Sequence, residues 1–318
     1  MNQQHGQGQN ADVMDISVIM PTYNCLAWLP RALHSIRRQG AVREIMIVDD
    51  GSTDGSRQWL RQQSDVRLLE TNRLGAGGAR NYAIRNAKGK WIAFLDADDY
   101  WLGHKLARQY AQLEQSPSAV MNITDFRHMS NEGENLGRCF TPVVWPYFGR
   151  LWKKRHAAGM GVHEFQLFAA LYQENFVGTS CVLVAKQSLE NVGGFDTELS
   201  SASDWDLWLK VAMQGTIQVM PFVGMHYWVE RPGSITRARQ KRIDAISVIL
   251  TRHGKAQPLT MFNRLRAYQR WYEGRAEQRR EAKAIFTAIL YELVAWLHWP
   301  QTRMLKRMLK DALPILNK

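Results

Sequence analysis

Trp91-Ile-Ala-Phe-Leu-Asp96-Ala-Asp98-Asp99 is an apolar run that ends abruptly in three acids within four residues. Short apolar runs rich in aromatic and aliphatic residues read as buried strands of an α/β sheet. Acids placed where such a strand leaves the sheet stand at its carboxyl edge, where open α/β sheets bind ligands. An Asp-x-Asp at that edge can hold a hard divalent cation such as Mg²⁺ or Mn²⁺ through carboxylate oxygens. Taken alone, the stretch is equally compatible with a solvated acidic loop. The surrounding chain has to decide.

Upstream, Asp15-Ile-Ser-Val-Ile-Met20 reads as a first buried strand closed by Pro21-Thr22-Tyr23-Asn24, since proline interrupts a central strand. A helix over 29–38 follows, with Leu33 and Ile36 on its inner face. Glu44-Ile-Met-Ile-Val48 is a second strand, and it too ends in acids, Asp49-Asp50-Gly51-Ser52-Thr53-Asp54. Turn residues there supply a start for a helix over 56–63, and a third strand covers 66–69. Three β-then-α units in succession imply a parallel sheet with right-handed crossovers. Between the third strand and the opening stretch lies Gly75-Ala-Gly-Gly-Ala-Arg80-Asn81. It departs from the dinucleotide fingerprint at Arg80. It reads either as a helix start whose amides and Arg80 face an anion, or as glycines serving a tight turn.

Bulk properties narrow the class. The chain has 318 residues, 45% hydrophobic and 22% charged, enough to bury one large domain or a domain with an appendage. Residues 1–14 are rich in Gln, Asn and Gly and lack an apolar core, which predicts a flexible tail rather than a secretory signal. Cys25, Cys139 and Cys181 are scattered, which argues against a disulfide framework or zinc site and for a reducing cytoplasm. A net charge of +12 invites a polyanionic partner.

Downstream, a helix is expected over 103–115 and a strand over 120–126. The βα rhythm then breaks, and 127–160 reads as an irregular, aromatic and basic insertion, either a functional lid or a surface excursion. A helix near 164–173, an apolar stretch at 180–184 and the turn Gly193-Gly194-Phe195-Asp196 lead to Ser203-Asp204-Trp205-Asp206-Leu207-Trp208. Trp205, Trp208 and Leu209 form an inward helical stripe, with Asp204 and Asp206 in the first turn, where the helix dipole favours negative charge. Two short strands, 217–220 and 225–229, precede the turn Arg231-Pro232-Gly233-Ser234.

From about residue 237 onwards the chain patterns as helices. Thirteen Lys or Arg lie between Arg237 and Lys283 against Asp244, Glu273, Glu277 and Glu281. The apolar segment 284–299 is too short and too polar to span a bilayer. In the last segment Met304, Leu305, Met308, Leu309, Ala312 and Leu316 share one face, and Arg303, Lys306, Arg307 and Lys310 the other. That pattern suits a helix lying in a membrane interface, or one packed on its own domain with a solvated basic face.

Over residues 15–236 these motifs, in their order, resemble the inverting glycosyltransferases of family 2. The resemblance rests on Pro21 to Asn24, Val48 to Asp54, Gly75 to Asn81, Phe94 to Asp99, Gly193 to Asp196 and Ser203 to Leu207. It implies the GT-A (nucleotide-diphospho-sugar transferase) α/β fold with a central, mostly parallel sheet, here followed by a helical extension over 237–318. It also implies transfer of a sugar from a UDP-, GDP- or dTDP-sugar to a glycan or lipid-linked acceptor. By resemblance Pro21, Thr22, Tyr23, Asn24 and Asp50 surround the base and ribose. Arg80 lies near the nucleotide, and Asp96 and Ala97 touch ribose or sugar. Asp98 ligates Mg²⁺ or Mn²⁺, with His226 as a further candidate ligand, and Asp204 is the catalytic base. Asp206 is the fallback base.

Three departures from the family pattern stand out. Ser203 replaces the usual Glu, and Tyr227-Trp228 lacks the arginine expected before the Pro-Gly-Ser turn. His226 sits where some relatives supply a third metal ligand, though a lone His in a strand is more often structural. A same-fold binding protein without transfer, or a nucleotidyltransferase, is the alternative. A nucleic-acid partner ranks last, because the basic residues accompany no nucleic-acid motif. The expected location is the cytoplasm, at the inner face of the plasma membrane if the tail docks there.

Overall fold

The computed structural model describes residues 13–130, 132–157, 164–228 and 239–316. Tail residues 1–12 and the turn at 231–234 lie outside the described residues. Val13 is exposed, whereas Met14 is already buried and opens the first strand, one residue before its expected start at Asp15.

Four strands, β1 (Met14–Thr22), β2 (Val42–Asp49), β3 (Val66–Glu70) and β4 (Trp91–Phe94), pair in parallel in the order β3-β2-β1-β4. The helices α1 (Leu29–Arg37), α2 (Ser56–Leu60) and α3 (Gly75–Asn86) connect them. Their apolar runs are continuous because both faces of the sheet are covered; Ile16, Val18, Ile19, Met20 and Ile92 to Leu95 are fully buried.

Pro21 does not end β1 as expected; the strand runs on to Thr22. Its pairing with β4 stops at Ile19, while pairing with β2 continues through Pro21 and Thr22. Ile19 and Pro21 face the same side, so the missing N–H falls where no ladder remains.

The other half of the sheet is mixed. β8 (Val182–Ala185) lies antiparallel to β4 and to β6 (Ala119–Met129); β6 runs parallel to β9 (Thr216–Trp228), which carries β5 (Tyr100–Trp101) antiparallel at the edge. The two short strands expected near 217–229 are thus one strand whose register shifts opposite Thr124 to Phe126. Gly224 lets it pass close, since a Cβ there would stand 2.3 Å from the Thr124 hydroxyl.

The 127–160 insertion is ordered where described, which corrects its reading as irregular. β6 continues to Met129 and turns back as β7 (Asn135–Arg138), and α5 (Phe148–Ala157) follows. Aromatic packing accounts for it: Phe148 and Phe176 stack at 3.6 Å between ring centres, and Phe140 meets both edge-on. The Glu174 carboxylate accepts from the amides of Tyr147 and Phe148, both at 2.9 Å, and so caps α5.

Helices α4 (Lys105–Glu114), α6 (Glu164–Gln173), α7 (Lys186–Asn191) and α8 (Ser203–Val211) complete this body. The extension forms α9 (Arg239–His253), α10 (Met261–Glu281), α11 (Ile285–His298) and α12 (Thr302–Leu316). Tyr172 donates to the Leu250 carbonyl at 3.0 Å and Arg270 pairs with Glu174 at 2.8 Å, binding the extension to α6 and the insertion.

Candidate functional site

The carboxyl ends of β1, β2 and β4 meet at one corner of the sheet. Loop 23–26 is laced to loop 52–56: the Asn24 amide donates to Ser52 Oγ, the Thr53 amide to Asn24 Oδ1, and the Leu26 amide to Asp54, at 2.8–2.9 Å. Asn24 takes a left-handed conformation with φ of 50°, which asparagine tolerates and which lets its side chain fold back on the loop. Tyr23 is exposed, with the Arg73 guanidinium 4.3 Å above its ring.

The two acids ending β2 divide their work. Asp49 is fully buried and accepts from the Ser52 amide and from Arg57. Asp50 accepts from the Thr71 hydroxyl and from the Leu74 and Gly75 amides, all at 2.8 Å. It therefore holds the start of α3 against the end of β2. Thr22 is buried beside them and its hydroxyl has no hydrogen-bond partner among the described residues.

From α3, Arg80 crosses to form a close ion pair with Asp96, its guanidinium 5.2 Å from the Phe195 ring centre. The glycines before Arg80 also serve packing: a Cβ at Gly77 would stand 3.4 Å from that of Phe195. Asn81 bonds both the amide and the carbonyl of Phe195 at 2.8 Å, so it fastens the Gly193–Asp196 turn to α3. Gly194 sits at φ of 72°, with no room for a side chain beside Asn81.

After β4, Ala97 and Asp99 are buried while Asp96 and Asp98 are partly exposed. Asp99 accepts from Ser180 Oγ at 2.5 Å, and the same hydroxyl accepts from the Asp96 amide at 3.0 Å. Burial, reinforced by the charges of Asp98 and Asp96, pushes the Asp99 carboxyl well above the usual range. Ser180, from the turn before β8, is thus a positioning residue that no motif announced; only the sheet order brings it here.

Arg31, near the start of α1, is the other such residue. It donates to the Asp98 carbonyl at 3.1 Å, and its guanidinium lies 3.7 Å over the Trp228 ring and 4.9 Å from that of Trp28. The chain lacks an arginine at 228, and the tryptophan there supports one arriving from α1 instead.

Asp204 opens α8 after Ala202, which caps the helix in a left-handed conformation. Its carboxyl accepts from the Trp205 amide at 2.8 Å and the Thr179 hydroxyl at 3.3 Å. Burial raises it above the usual carboxylate range; Arg80 and Arg242 act against this and Asp96 adds to it. Asp204 is therefore electrostatically joined to the Arg80–Asp96 pair.

Asp206, two residues on, is fully buried and meets Lys210, Arg252 and His253 at 2.6–2.8 Å. Despite the opposing effect of burial, those partners hold it far below the usual range. The fold commits it to binding α9. His226 faces Tyr100 and Arg127 across the sheet, and burial, then Arg127 and Arg31, favour its neutral form. Among the described residues no three His, Cys, Asp or Glu side chains converge in a group that could hold a metal by themselves.

The comparisons with known proteins agree with this architecture. Glycosyl transferase family 2 matches residues 17–176. The chain is 39% identical over 110 residues to the Escherichia coli UDP-Glc:alpha-D-GlcNAc-diphosphoundecaprenol beta-1,3-glucosyltransferase WfgD, covering 33% of this chain and 44% of that one. It spans about a third to a half of the length of several curated relatives it matches.

Among solved structures, the mannosyltransferase PcManGT from Pyrobaculum calidifontis, in complex with GDP-Man and Mn²⁺, superposes with a TM-score of 0.62 at 19% identity, over 96% of this chain and 81% of that one. S. aureus TarS 1–349 in complex with UDP-GlcNAc gives 0.61 at 18%, over 88% and 83%. These likenesses establish the GT-A fold, its mixed sheet included. The family match reaches from β1 through the strand-end acids to the close of the insertion, half of all residues, and the chain belongs to glycosyl transferase family 2.

Proposed function

We propose that this chain transfers a sugar from a nucleotide-diphosphate sugar to an acceptor hydroxyl with inversion, in the synthesis of a surface polysaccharide or lipid-linked glycan. The observation that carries this is Asp204: a carboxyl with a raised pKa, facing the Arg80–Asp96 pair at the sheet's carboxyl edge. Inverting transfer needs a base opposite the leaving group, and a carboxylate tuned toward neutral pH is suited to take the acceptor's proton.

In this reading Pro21, Thr22, Tyr23, Asn24 and Asp50 form the base and ribose side of the donor site, and Arg80, Asp96 and Ala97 line its sugar and phosphate side. Asp98 would hold Mg²⁺ or Mn²⁺. The acids at the corner offer oxygen donors only, which suits these hard cations, and phosphate and water oxygens complete what one or two carboxylates begin. Such an ion, when bound, neutralises charge on the departing diphosphate. His226 is the weaker candidate ligand, since Arg31 and Arg127 beside it oppose a cation. Arg31 would add a donor group at the phosphates.

The decisive experiment measures nucleotide diphosphate release from a panel of UDP-, GDP- and dTDP-sugars with Mg²⁺ or Mn²⁺, for the wild type and for Asp204→Asn. Release by the wild type and its loss in the variant, with donor binding kept, is the expected result. Full turnover in the variant would remove Asp204 from the role.

We also propose that the C-terminal helices rest on an anionic membrane. Phe286, Leu290, Leu293 and Leu297 are exposed along α11, as are Leu305, Leu309 and Leu313 along α12, with Lys306 and Lys310 exposed among them. No helix among the described residues is long and apolar enough to cross a membrane.

A further inference from the structure

Between the insertion and the extension lies a cleft of about 780 Å³, walled by Tyr147 and Arg150 on one side and Arg266, Gly274 and Trp299 on the other. A second cavity of about 160 Å³ shares Gln173, Glu174 and Arg270 with it and continues inward to Ala202, Trp205 and Arg242. Those last residues flank Asp204, and the Arg242 charge acts on it. The inner space thus lies beside the start of α8, which carries the proposed base, and the outer cleft lies across the shared wall.

Five arginines and three glutamates line the outer cleft. Glu174 is taken by Arg270, and Glu273 by Arg303 and Arg307. Arg150 and Arg266 make no ion pair among the described residues. Arg150 is exposed, while Arg266 is held between the rings of Tyr147 and Trp299, 5.2 and 4.8 Å from their centres. Burial, with the Arg150 charge next, lowers the Arg266 pKa, and Tyr147 and Glu174 oppose this only in part.

A second observation is independent of charge. Gln173 is 3% exposed, and its amide nitrogen donates to the Ala169 carbonyl at 2.9 Å, which fixes its oxygen as the free end. That Oε1 finds no hydrogen-bond partner among the described residues, and neither does Asn175 Oδ1; Gln173 lines both cavities and Asn175 the inner one. Buried acceptors left unmatched are costly unless a ligand supplies donors. Hydroxyl groups fit that demand, and an anion fits Arg150 and Arg266.

We infer that this cleft is the acceptor subsite and that the acceptor is a saccharide chain carrying anionic groups, phosphate or carboxylate. Its hydroxyls meet Gln173 and Asn175, its charge meets Arg150 and Arg266, and its growing end reaches Asp204. The inference rests on the transferase reading above for the direction of the chain, but its binding test does not.

The test measures binding to the full chain of three fluorescent oligomers of similar length: glycerol phosphate, galacturonate and neutral dextran. We expect one or both acidic oligomers to bind roughly tenfold or more tightly than dextran, and less tightly as salt rises. Whichever acidic oligomer binds identifies phosphate or carboxylate. Arg266→Gln should weaken that binding several-fold, as should Arg150→Gln, whose exposed side chain makes the variant safe for folding. Gly274→Trp keeps every arginine and fills the cleft, since a Cβ there meets open space; it should abolish binding.

Equal affinity for dextran, no binding of either acidic oligomer, or undiminished binding by Gly274→Trp overturns the inference. Acceptor-free nucleotide release, measured in parallel, should be unchanged in all three variants. Its absence in the wild type counts against the transferase reading alone.

Discussion

Asp204 and Asp206 stand two positions apart in one helix, yet the fold sends their carboxyl groups in opposite directions. Asp204 is raised by burial with few compensating partners, while Asp206 is lowered by its hydrogen bonds to His253, Lys210 and Arg252. A base must be deprotonated to act, so activity should fall as pH drops through a value above the ordinary aspartate range of about 3.9. A turnover profile flat down to pH 4 would contradict this. Replacing Asp204 with Asn should lower turnover by roughly 10²–10⁴-fold with little change in donor affinity.

Lys105 makes a separate prediction at this scale. It is fully buried against the Trp101 ring, bonded to Gln109 at 2.7 Å, and burial lowers its pKa from 10.5 to about 7. The fold favours the neutral amine, so the cost of burying it is complete below about pH 7 and disappears above the unfolded value. Stability should therefore rise from pH 7 to 10. Lys105→Met should raise the melting temperature more at pH 6 than at pH 10; an equal gain at both would show that the amine carries no such cost.

At the scale of elements, α8 joins the strand-end site to the extension. Its first turn offers Asp204 to the site, and its buried side holds α9 through Asp206, Arg252 and His253. Asp206→Asn should destabilise the chain by about 2–3 kcal/mol, less than a fully buried pair, because Arg252 and Lys210 can reach water. The Asp206 pKa is depressed, so its contribution is present above the unfolded value near 3.9 and is lost as pH falls below it. Denaturant midpoints of wild type and variant should differ at pH 7 and draw together as pH falls below about 3.9.

The β-then-α elements before residue 100 were legible because each carries its own apolar run and turn residues. The insertion was not. Its helix is stabilised by Phe176, Glu174 and Arg270, which arrive from later segments, and no local period reports such contacts.

Across the whole molecule, the net charge of +12 proves a poor guide to partners when taken as a sum. Many of the extension's arginines are spent internally: Arg252 on Asp196 and Asp206, Arg280 on Glu292 and Asp311, Arg303 and Arg307 on Glu273. The amphipathic face of α12 is likewise divided. Met304 is buried, while Leu305, Leu309 and Leu313 remain outside and extend the exposed stripe of α11. Burial against the domain and outward exposure thus fall to different edges of one apolar face. Changing Leu290, Leu297 and Leu309 to Glu should shift the protein from the pellet to the supernatant with phosphatidylglycerol liposomes, leaving its melting temperature within about 2 °C because the replaced side chains are exposed. Unchanged co-sedimentation would remove this face as the anchor.

What the sequence determined by itself was the parallel half of the sheet and the placing of acids at its strand ends. Strand, turn and acid follow one another within a few residues there, so local hydrophobicity and the break in it suffice. Tertiary structure alone decided which partners each acid meets. Asp50 is taken up by α3, Asp206 by α9, and Asp99 by Ser180, whereas Asp204 retains a raised carboxyl. The same holds for Arg31 over Trp228, and for the cleft where Arg150 and Arg266 meet across the insertion and the extension. A side chain's charge state and partners depend on neighbours in space, and for these residues the neighbours lie tens of positions away or more.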